Sequence, residues 1–441
     1  MQDSNFNSGG LSFNFPKADT TENASVSTNE SGIQFNFPGK KANPSIIKVV
    51  GVGGGGSNAV SHMYREGIHD VSYVVCNTDK KALEDSPVPN HLQLGEGLGA
   101  GNDPAKGKKA AEGSIDDIRQ MLNDGTRMVF ITAGMGGGTG TGAAPIIAQC
   151  ARDAGILTVG IVTLPFLFEG YMKISQALDG VEEIAKHVDA LLVINNERLR
   201  EIYPEFTLLN AFAKADDTLS IAAKSIAEII TMRGIINLDF QDVTTVLKDG
   251  GVAIMSTGYG EGENRVTKAL HAALNSPLLN NNDIFNSRKV LLYISFSGEN
   301  ESESLMMEEM NEVNDFMSKF RKDVETKWGL ATDSSLGGKV KITLLATGFG
   351  LENVPGMNKM KDTRKQKIEE EGEPWTKHLE TIAQIYTGVV TSSMRHQHNV
   401  FIFEDNELDD ESIISKIESS PTVSRTKEEL KSFRQQEEPS A

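Results

Sequence analysis

Gly136-Gly137-Gly138-Thr139-Gly140-Thr141-Gly142 stands between an apolar run, Arg127-Met128-Val129-Phe130-Ile131-Thr132, and an amphipathic one, Pro145-Ile146-Ile147-Ala148-Gln149-Cys150-Ala151. By period the three pieces read as strand, glycine loop and helix. Five glycines in seven residues let the backbone approach a ligand with no Cβ in the way. The free N–H groups of the loop and helix start offer an anion partial positive charge. The stretch therefore predicts a phosphate cradle, with two threonine hydroxyls as further donors. A flexible linker would not be bracketed so closely by a β-branched strand and an apolar helix. No GxxxxGK[ST] stretch occurs, which separates this cradle from the lysine-bearing kind.

Working outward, 441 residues exceed one typical core, so two folded domains with tails are expected. A formal charge of -18 argues against a nucleic-acid partner, because an acidic surface repels phosphates. Cys76 and Cys150, the only cysteines, lie far apart in apolar elements and read as unpaired core thiols in a reducing compartment. The start, Met1-Gln2-Asp3-Ser4-Asn5, lacks a signal-peptide pattern. The longest apolar run, Gly155 to Phe168, is too short to span a bilayer and reads as a buried strand. The expectation is a cytoplasmic protein with no direct membrane insertion.

Residues 1–44 are rich in Ser, Asn, Thr and Gly and carry Phe13-Asn14-Phe15-Pro16 and Phe35-Asn36-Phe37-Pro38; they read as a disordered arm. From Ile46 a doubly wound pattern begins: a strand through Val50, then Gly51 to Ser57, a helix through Ala59, Val60 and Met63, and a strand Val71 to Cys76 ending in Asn77-Thr78-Asp79. Gly51, Gly53 and Gly56 satisfy GxGxxG, and Asp79 sits at the next strand end. An NAD-dependent Rossmann oxidoreductase is therefore the competing reading. Against it stands a second glycine loop, Gly97 to Pro104, besides the GGGTGTG. Three loops at the ends of successive strands surround one polyphosphate, whereas a dinucleotide pyrophosphate needs only one.

Strands Leu157 to Val162 and Ala190 to Ile194 complete a mostly parallel sheet. A long helix follows, about Thr207 to Met232. Leu208, Phe212, Ala215, Leu219, Ala222, Ile226 and Ile229 form one stripe, which predicts a helix buried along its length as a strut between domains. Beyond it, strands at Val252, Val290, Val324 and Val340 and helices at Val266 and Leu305 give β-α-β-α-β-β, a smaller α/β domain with a mixed sheet. The expected division is arm 1–44, nucleotide domain with central helix 45–238, second domain 239–350, linker 351–405 and tail 406–441. Within the tail, Leu408, Ile413, Ile414 and Ile417 suggest a short amphipathic helix. His396 and His398 lack a third ligand nearby, and no metal site is assigned.

Two polar groups carry chemistry. A carboxylate can accept both N–H donors of guanine's base-pairing edge, which adenine cannot match, and Asp216 early in the long helix is the candidate; a solvated helix aspartate is the plain alternative. Asn237, Asp239 and Asp242 form the other group. Asp239 and Asp242 can position water or a cation, and a helix cap would use the same residues. An unbroken helix from Asp216 to Met232 rises about 24 Å at 1.5 Å per residue, so one chain cannot bring Asp239 to phosphates anchored beside Asp216. The aspartates are then either structural or complete a neighbour's site, and a head-to-tail contact that does not close makes a filament.

GGGTGTG and its flanks, ITAGMGGGTGTGAAP, resemble the tubulin/FtsZ family, over Ile46 to Phe349. The resemblance implies a self-polymerising GTPase of the cytokinetic ring at the division site, binding GTP or GDP with Mg²⁺. It implies that Gly54, Gly55, Gly56, Ser57, Asn58, Gly99, Gly101, Gly137, Gly138, Thr139, Gly140, Glu169, Lys173 and Asn196 bind nucleotide. It further implies that Phe212 stacks on the base, Asp216 reads it, and Asn237, Asp239 and Asp242 trigger hydrolysis on the adjacent subunit. Membrane-anchoring and regulatory proteins are implied as partners of the tail. Departures from the family pattern are Leu164 for arginine, Ser57 for glycine or asparagine, and Tyr171-Met172-Lys173 for a more basic run. A structural nucleotide-binding filament without hydrolysis is the non-enzymatic alternative.

Overall fold

The computed structural model describes residues 45–350 except 69, 204, 233, 275–283 and 301–302. The N-terminal arm with its FNFP pair, the linker, the tail helix and the His396/His398 pair lie outside the described residues. Strands are β1 (Ile47–Val52), β2 (Val71–Asn77), β3 (His91–Gln93), β4 (Met128–Gly134), β5 (Leu157–Leu164), β6 (Ala190–Asn195), β7 (Gly234–Ile236), β8 (Gly251–Glu261), β9 (Lys289–Phe296), β10 (Glu325–Thr332) and β11 (Lys339–Phe349). Helices are α1 (Gly53–Glu66), α2 (Lys80–Glu84), α3 (Pro104–Gly113), α4 (Ile115–Leu122), α5 (Gly138–Asp153), α6 (Tyr171–Ala185), α7 (Asn196–Ile202), α8 (Leu208–Thr231), α9 (Phe240–Leu247), α10 (Arg265–Leu274) and α11 (Glu309–Met317).

The strands lie in one sheet, ordered β3-β2-β1-β4-β5-β6-β8-β11-β9-β10-β7. β3 through β6 are parallel, and their core positions are β-branched or apolar on both faces, as a sheet covered on both sides requires. The second half is mixed: β11 runs antiparallel to β8 and β9, while β9 and β10 are parallel. The halves meet at β6 and β8 through only Ala190 opposite Gly251 and Leu191 opposite Val252. In the first half the chain leaves β1 toward β2 on one side and returns to β4 on the other. This is the topological switch point, where ligands bind at the carboxyl ends of strands.

α8 is continuous over 24 residues, started by Thr207, whose hydroxyl accepts the Asn210 N–H at 3.3 Å. Leu219, Ala222, Ile226 and Ile229 share one core with Val49, Phe130, Val159 and Leu192 of the first half and with Met255, Leu291, Tyr293 and Leu345 of the second. The strut is thus real, but its first two turns are not buried: Leu208 is 58% exposed and Phe212 39%. α11 is shorter than the expected Leu305 to Phe320. The Arg265 guanidinium donates to the Glu303 and Ser304 carbonyls and pairs with Glu309, holding the chain before Glu309 out of a helix.

The glycine stretches behave differently from a pair of loops. Gly53 to Gly56 already form the first turn of α1, and Gly138 to Gly142 the first turns of α5. A Cβ on Gly56 would land on the Thr132 carbonyl of β4, and one on Gly142 on the Pro104 carbonyl and Lys108 N of α3. These glycines let backbone meet backbone inside the protein rather than at a ligand. Gly142→Ala is therefore expected to cost about 1–3 kcal/mol of stability through overpacking, read as a lower urea midpoint, with nucleotide affinity of the folded fraction retained.

Candidate functional site

A cleft of about 460 Å³ opens at the switch point, at the carboxyl ends of β1, β4, β5 and β6. The amino ends of α1, α5 and α7 border it through Gly54 and Gly55, Gly138 and Thr139, and Asn196. Unpaired N–H groups at helix starts favour an anion by roughly 0.3–1 kcal/mol per helix end in exposed settings, and more where partly buried. Gly53 has a φ of 70°, and a Cβ there would come 2.7 Å from the Gly140 N, so the α1 and α5 starts touch through backbone alone. Gly54 and Gly137 have open space where a Cβ would stand.

The threonines divide their work. Thr139 lines the cleft, and its hydroxyl is 2.6 Å from that of buried Thr78 at the end of β2. Thr141 Oγ1 accepts the Gly136 N–H at 2.8 Å, so this hydroxyl holds the loop's own backbone instead of serving a ligand. On the opposite wall Glu169 accepts the Phe166 N–H at 2.8 Å and the Lys173 ammonium at 2.6 Å. Glu169 is thereby neutralised and fixed, while Lys173 reaches the cleft from the start of α6.

The base end is more apolar. Phe212 meets Phe166 edge to face at 5.2 Å and Phe168 at 6.2 Å, leaving part of its ring uncovered beside the cleft. Asp216, on the same face of α8 one turn later, has its carboxyl pushed up to about 6 by burial, against a smaller downward pull from His62. Asn196 is 6% exposed, and its Oδ1 is buried with no hydrogen-bond partner. A flat base with polar edge groups is the kind of partner that satisfies such an atom and such a desolvated carboxylate. The chemistry of the cleft thus fits a purine nucleotide with its phosphates at the glycine turns.

Of the residues singled out in the sequence, Gly54, Gly55, Asn58, Gly137, Gly138, Thr139, Gly140, Glu169, Lys173, Asn196, Phe212 and Asp216 line this cleft. Gly56 faces the sheet instead, and Ser57 Oγ is buried and unpaired among the described residues. Gly99 and Gly101 are not among the residues lining the cleft; the Gly99 N–H is taken by the Thr78 carbonyl at 2.8 Å. Gly134, Met135, Thr163, Pro165 and Ala215 line it without having been singled out. Their signal was positional: Gly134 and Thr163 end β4 and β5, the place where a parallel sheet presents its ligand.

Asp79, the carboxylate on which the dinucleotide reading rested, caps α2 by accepting the Lys81 and Ala82 N–H groups at 2.9 and 3.3 Å, and is absent from the cleft lining. Asn237, Asp239 and Asp242 also lie away from the cleft. Asp239 and Asp242 form a reciprocal capping box at the start of α9. Lys327 sits 2.9 Å from Asp242, and its hydrogen bond is the main reason this carboxyl titrates below the usual range. Asn237 Oδ1 accepts the Gly234 N–H at 2.6 Å. His62, Glu66 and Asp217 converge between α1 and α8, but the two carboxylates already meet Lys224 and Lys214.

Comparison with known proteins completes the picture. The model of the Tubulin/FtsZ family GTPase domain matches residues 46–204, that of the FtsZ family C-terminal domain 251–350, and a third, FtsZ C-terminal, 395–440, where the sequence offered no close motif. The cell division protein FtsZ of Porphyromonas gingivalis is 50% identical over 397 residues, 87% of this chain and 86% of that protein. That of Coxiella burnetii is 44% identical over 310 residues, 69% of this chain and 79% of that protein. Among solved structures, an FtsZ dimer from M. jannaschii superposes with a TM-score of 0.63 at 39% identity, covering 68% of this chain and 88% of that one. CetZ2 from Haloferax volcanii shares the fold at 18% identity, with a TM-score of 0.59 over 74% of this chain and 99% of that one. With its cleft at the β1/β4 switch and the NAD reading overturned, the chain belongs to the tubulin/FtsZ family of GTPases.

Proposed function

We propose that this chain is a GTP-dependent, self-polymerising GTPase of the cytokinetic ring, and that it hydrolyses GTP at a head-to-tail contact between copies. The single supporting observation is the unbroken α8: its rise alone sets Asp216 about 22 Å from Thr231, and Asn237, Asp239 and Asp242 follow beyond that end. Within the cleft the carboxylates are Glu169, committed to Lys173 and the Phe166 N–H, and Asp216, committed to the base. Neither is free to direct a water onto the terminal phosphate. A second copy stacked end to end supplies Asp239 and Asp242 there, with Asn237 positioning.

In this reading the glycine turns, Thr139 and Lys173 hold the phosphates, Asn196, Phe212 and Asp216 hold guanine, and Glu169 approaches the ribose. Hydrolysis proceeds by in-line attack of water, with stabilisation by oriented dipoles and charge in place of a covalent intermediate. The cleft has no cage of carboxylates fit for Mg²⁺; the ion is expected to arrive on the triphosphate with its water shell. Residues 45–238 act as the nucleotide domain and 239–350 as the domain presenting the aspartates. The tail, 406–441, recruits membrane-anchoring and regulatory proteins, and the filament assembles in the cytoplasm at the division site.

Two outcomes test this. Asp242→Asn keeps capping capacity and is expected to bind GTP normally but hydrolyse it about 100-fold slower. Asp216→Ala is expected to lose GTP affinity. A mixture of the two pairs an intact cleft with an intact aspartate loop, so phosphate release above that of either alone is expected; no gain on mixing rules out the shared site. The second outcome concerns pH. The Asp216 carboxyl must be ionised to accept two N–H groups, and its raised value of about 6 means that half of it is protonated at that pH. GDP affinity is expected to hold above pH 7 and to fall below 6, approaching tenfold per unit, with the slope abolished in Asp216→Asn.

A further inference from the structure

We propose that Thr78 is a positioning residue that orients the Thr139 hydroxyl toward the nucleotide phosphates. The inference rests on the reading of Thr139 as a phosphate ligand and adds a residue outside the cleft lining. Thr78 stands between Asn77, the last residue of β2, and Asp79, and it is only 4% exposed. Its hydroxyl makes one hydrogen bond among the described residues, to Thr139 Oγ1 at 2.6 Å, across the gap between the end of β2 and the start of α5.

A hydroxyl carries one proton and two acceptor sites, so the direction of this bond matters. If Thr139 donates to Thr78, it has no proton left for an anion and faces the phosphates with lone pairs. When Thr139 donates to a phosphate oxygen, Thr78 must donate to Thr139, and the two bonds reinforce each other in a row. Thr78 has no other hydrogen-bonded acceptor to compete for its proton, and burial shields the pair from water. An anion in the cleft thus sets the order Thr78 to Thr139 to phosphate.

The backbone around Thr78 holds this alignment from behind. Its carbonyl accepts the Gly99 N–H at 2.8 Å, and the neighbouring Lys80 N–H donates to the Gly97 carbonyl at 3.0 Å. The same loop presses on the phosphate turn, since a Cβ on Gly138 would come 2.7 Å from the Ala100 methyl. Gly99, with a φ of 80°, thus supports Thr78 through this backbone bond.

The test compares GDP with guanosine, which lacks the phosphates, on full-length Thr78→Val, Thr78→Ser, Thr139→Val and the Thr78→Val/Thr139→Val pair. Thr139→Val is expected to weaken GDP about 10- to 100-fold, the range of a lost bond to a charged group. Thr78→Val is expected to weaken GDP about 3- to 10-fold with guanosine unchanged, Thr78→Ser to bind as the parent does, and the double variant to bind no worse than Thr139→Val. Equal losses for GDP and guanosine, additive losses in the pair, or normal GDP binding by Thr78→Val overturn the positioning role alone. Normal GDP binding by Thr139→Val overturns the phosphate-site reading as well.

Discussion

The cleft depends on two helix starts being brought into backbone contact at the point where the sheet changes direction. α1 follows β1, α5 follows β4, and those strands are neighbours with paired register from Ile47 and Met128 to Val52 and Ala133. Two helices leaving adjacent strands on such terms crowd each other at their first residues. Glycine at Gly53 permits it, since a methyl there meets the Gly140 N at 2.7 Å, and Gly140 lets α5 start against the end of β4, where a methyl would meet the Gly134 carbonyl at 2.6 Å. Once they are so close, their unpaired N–H groups point at one small volume, and an anion there satisfies donors from both. The phosphate site is thus a by-product of packing that any larger residue would forbid.

The second constraint is a distance. A helix of 24 residues with a shared core on both sides cannot shorten, and it holds the Asp216 carboxylate near one end and the aspartate loop beyond the other. At rest the two aspartates are occupied by each other's N–H groups and by Lys327. The helix cap therefore does not exclude the water-directing role proposed for Asp239 and Asp242. The capping geometry fixes where their oxygens stand, and exposure of Asp239 leaves it reachable from outside.

Most of the parallel half was legible because its strands are long apolar runs closed by glycine, and α8 because its stripe persists over several turns. The reading of α8 erred only at Leu208 and Phe212, where the stripe continues past the core it was inferred from. Short elements such as β3, α2 and β7 left no periodic trace. At the site, residue type proved a better guide than residue purpose. Twelve of the candidate nucleotide residues meet in the cleft, yet Gly56, Gly142 and Thr141 were chosen by the fold for internal contacts. Nothing in a linear string distinguishes a glycine facing a ligand from one facing a carbonyl thirty or seventy residues away. Lys48, 2% exposed on the central strand β1, is a further case: its ammonium is satisfied by the Met121 carbonyl and Asp124, partners more than seventy positions distant.

The uncovered start of α8 has a bearing on how copies meet. Leu208 and Leu209 protrude at one extremity of the rod, and Ile235 and Ile236 follow directly after the other, all at least 36% exposed. The molecule is at the same time an anion of formal charge -18. Coulomb repulsion between approaching copies is damped within about 8 Å at physiological ionic strength, whereas the attraction of bare hydrocarbon is not weakened by ions. Dissolved salt therefore acts as a dial on encounter, turning down the repulsion between copies while leaving the attraction of exposed hydrocarbon unchanged.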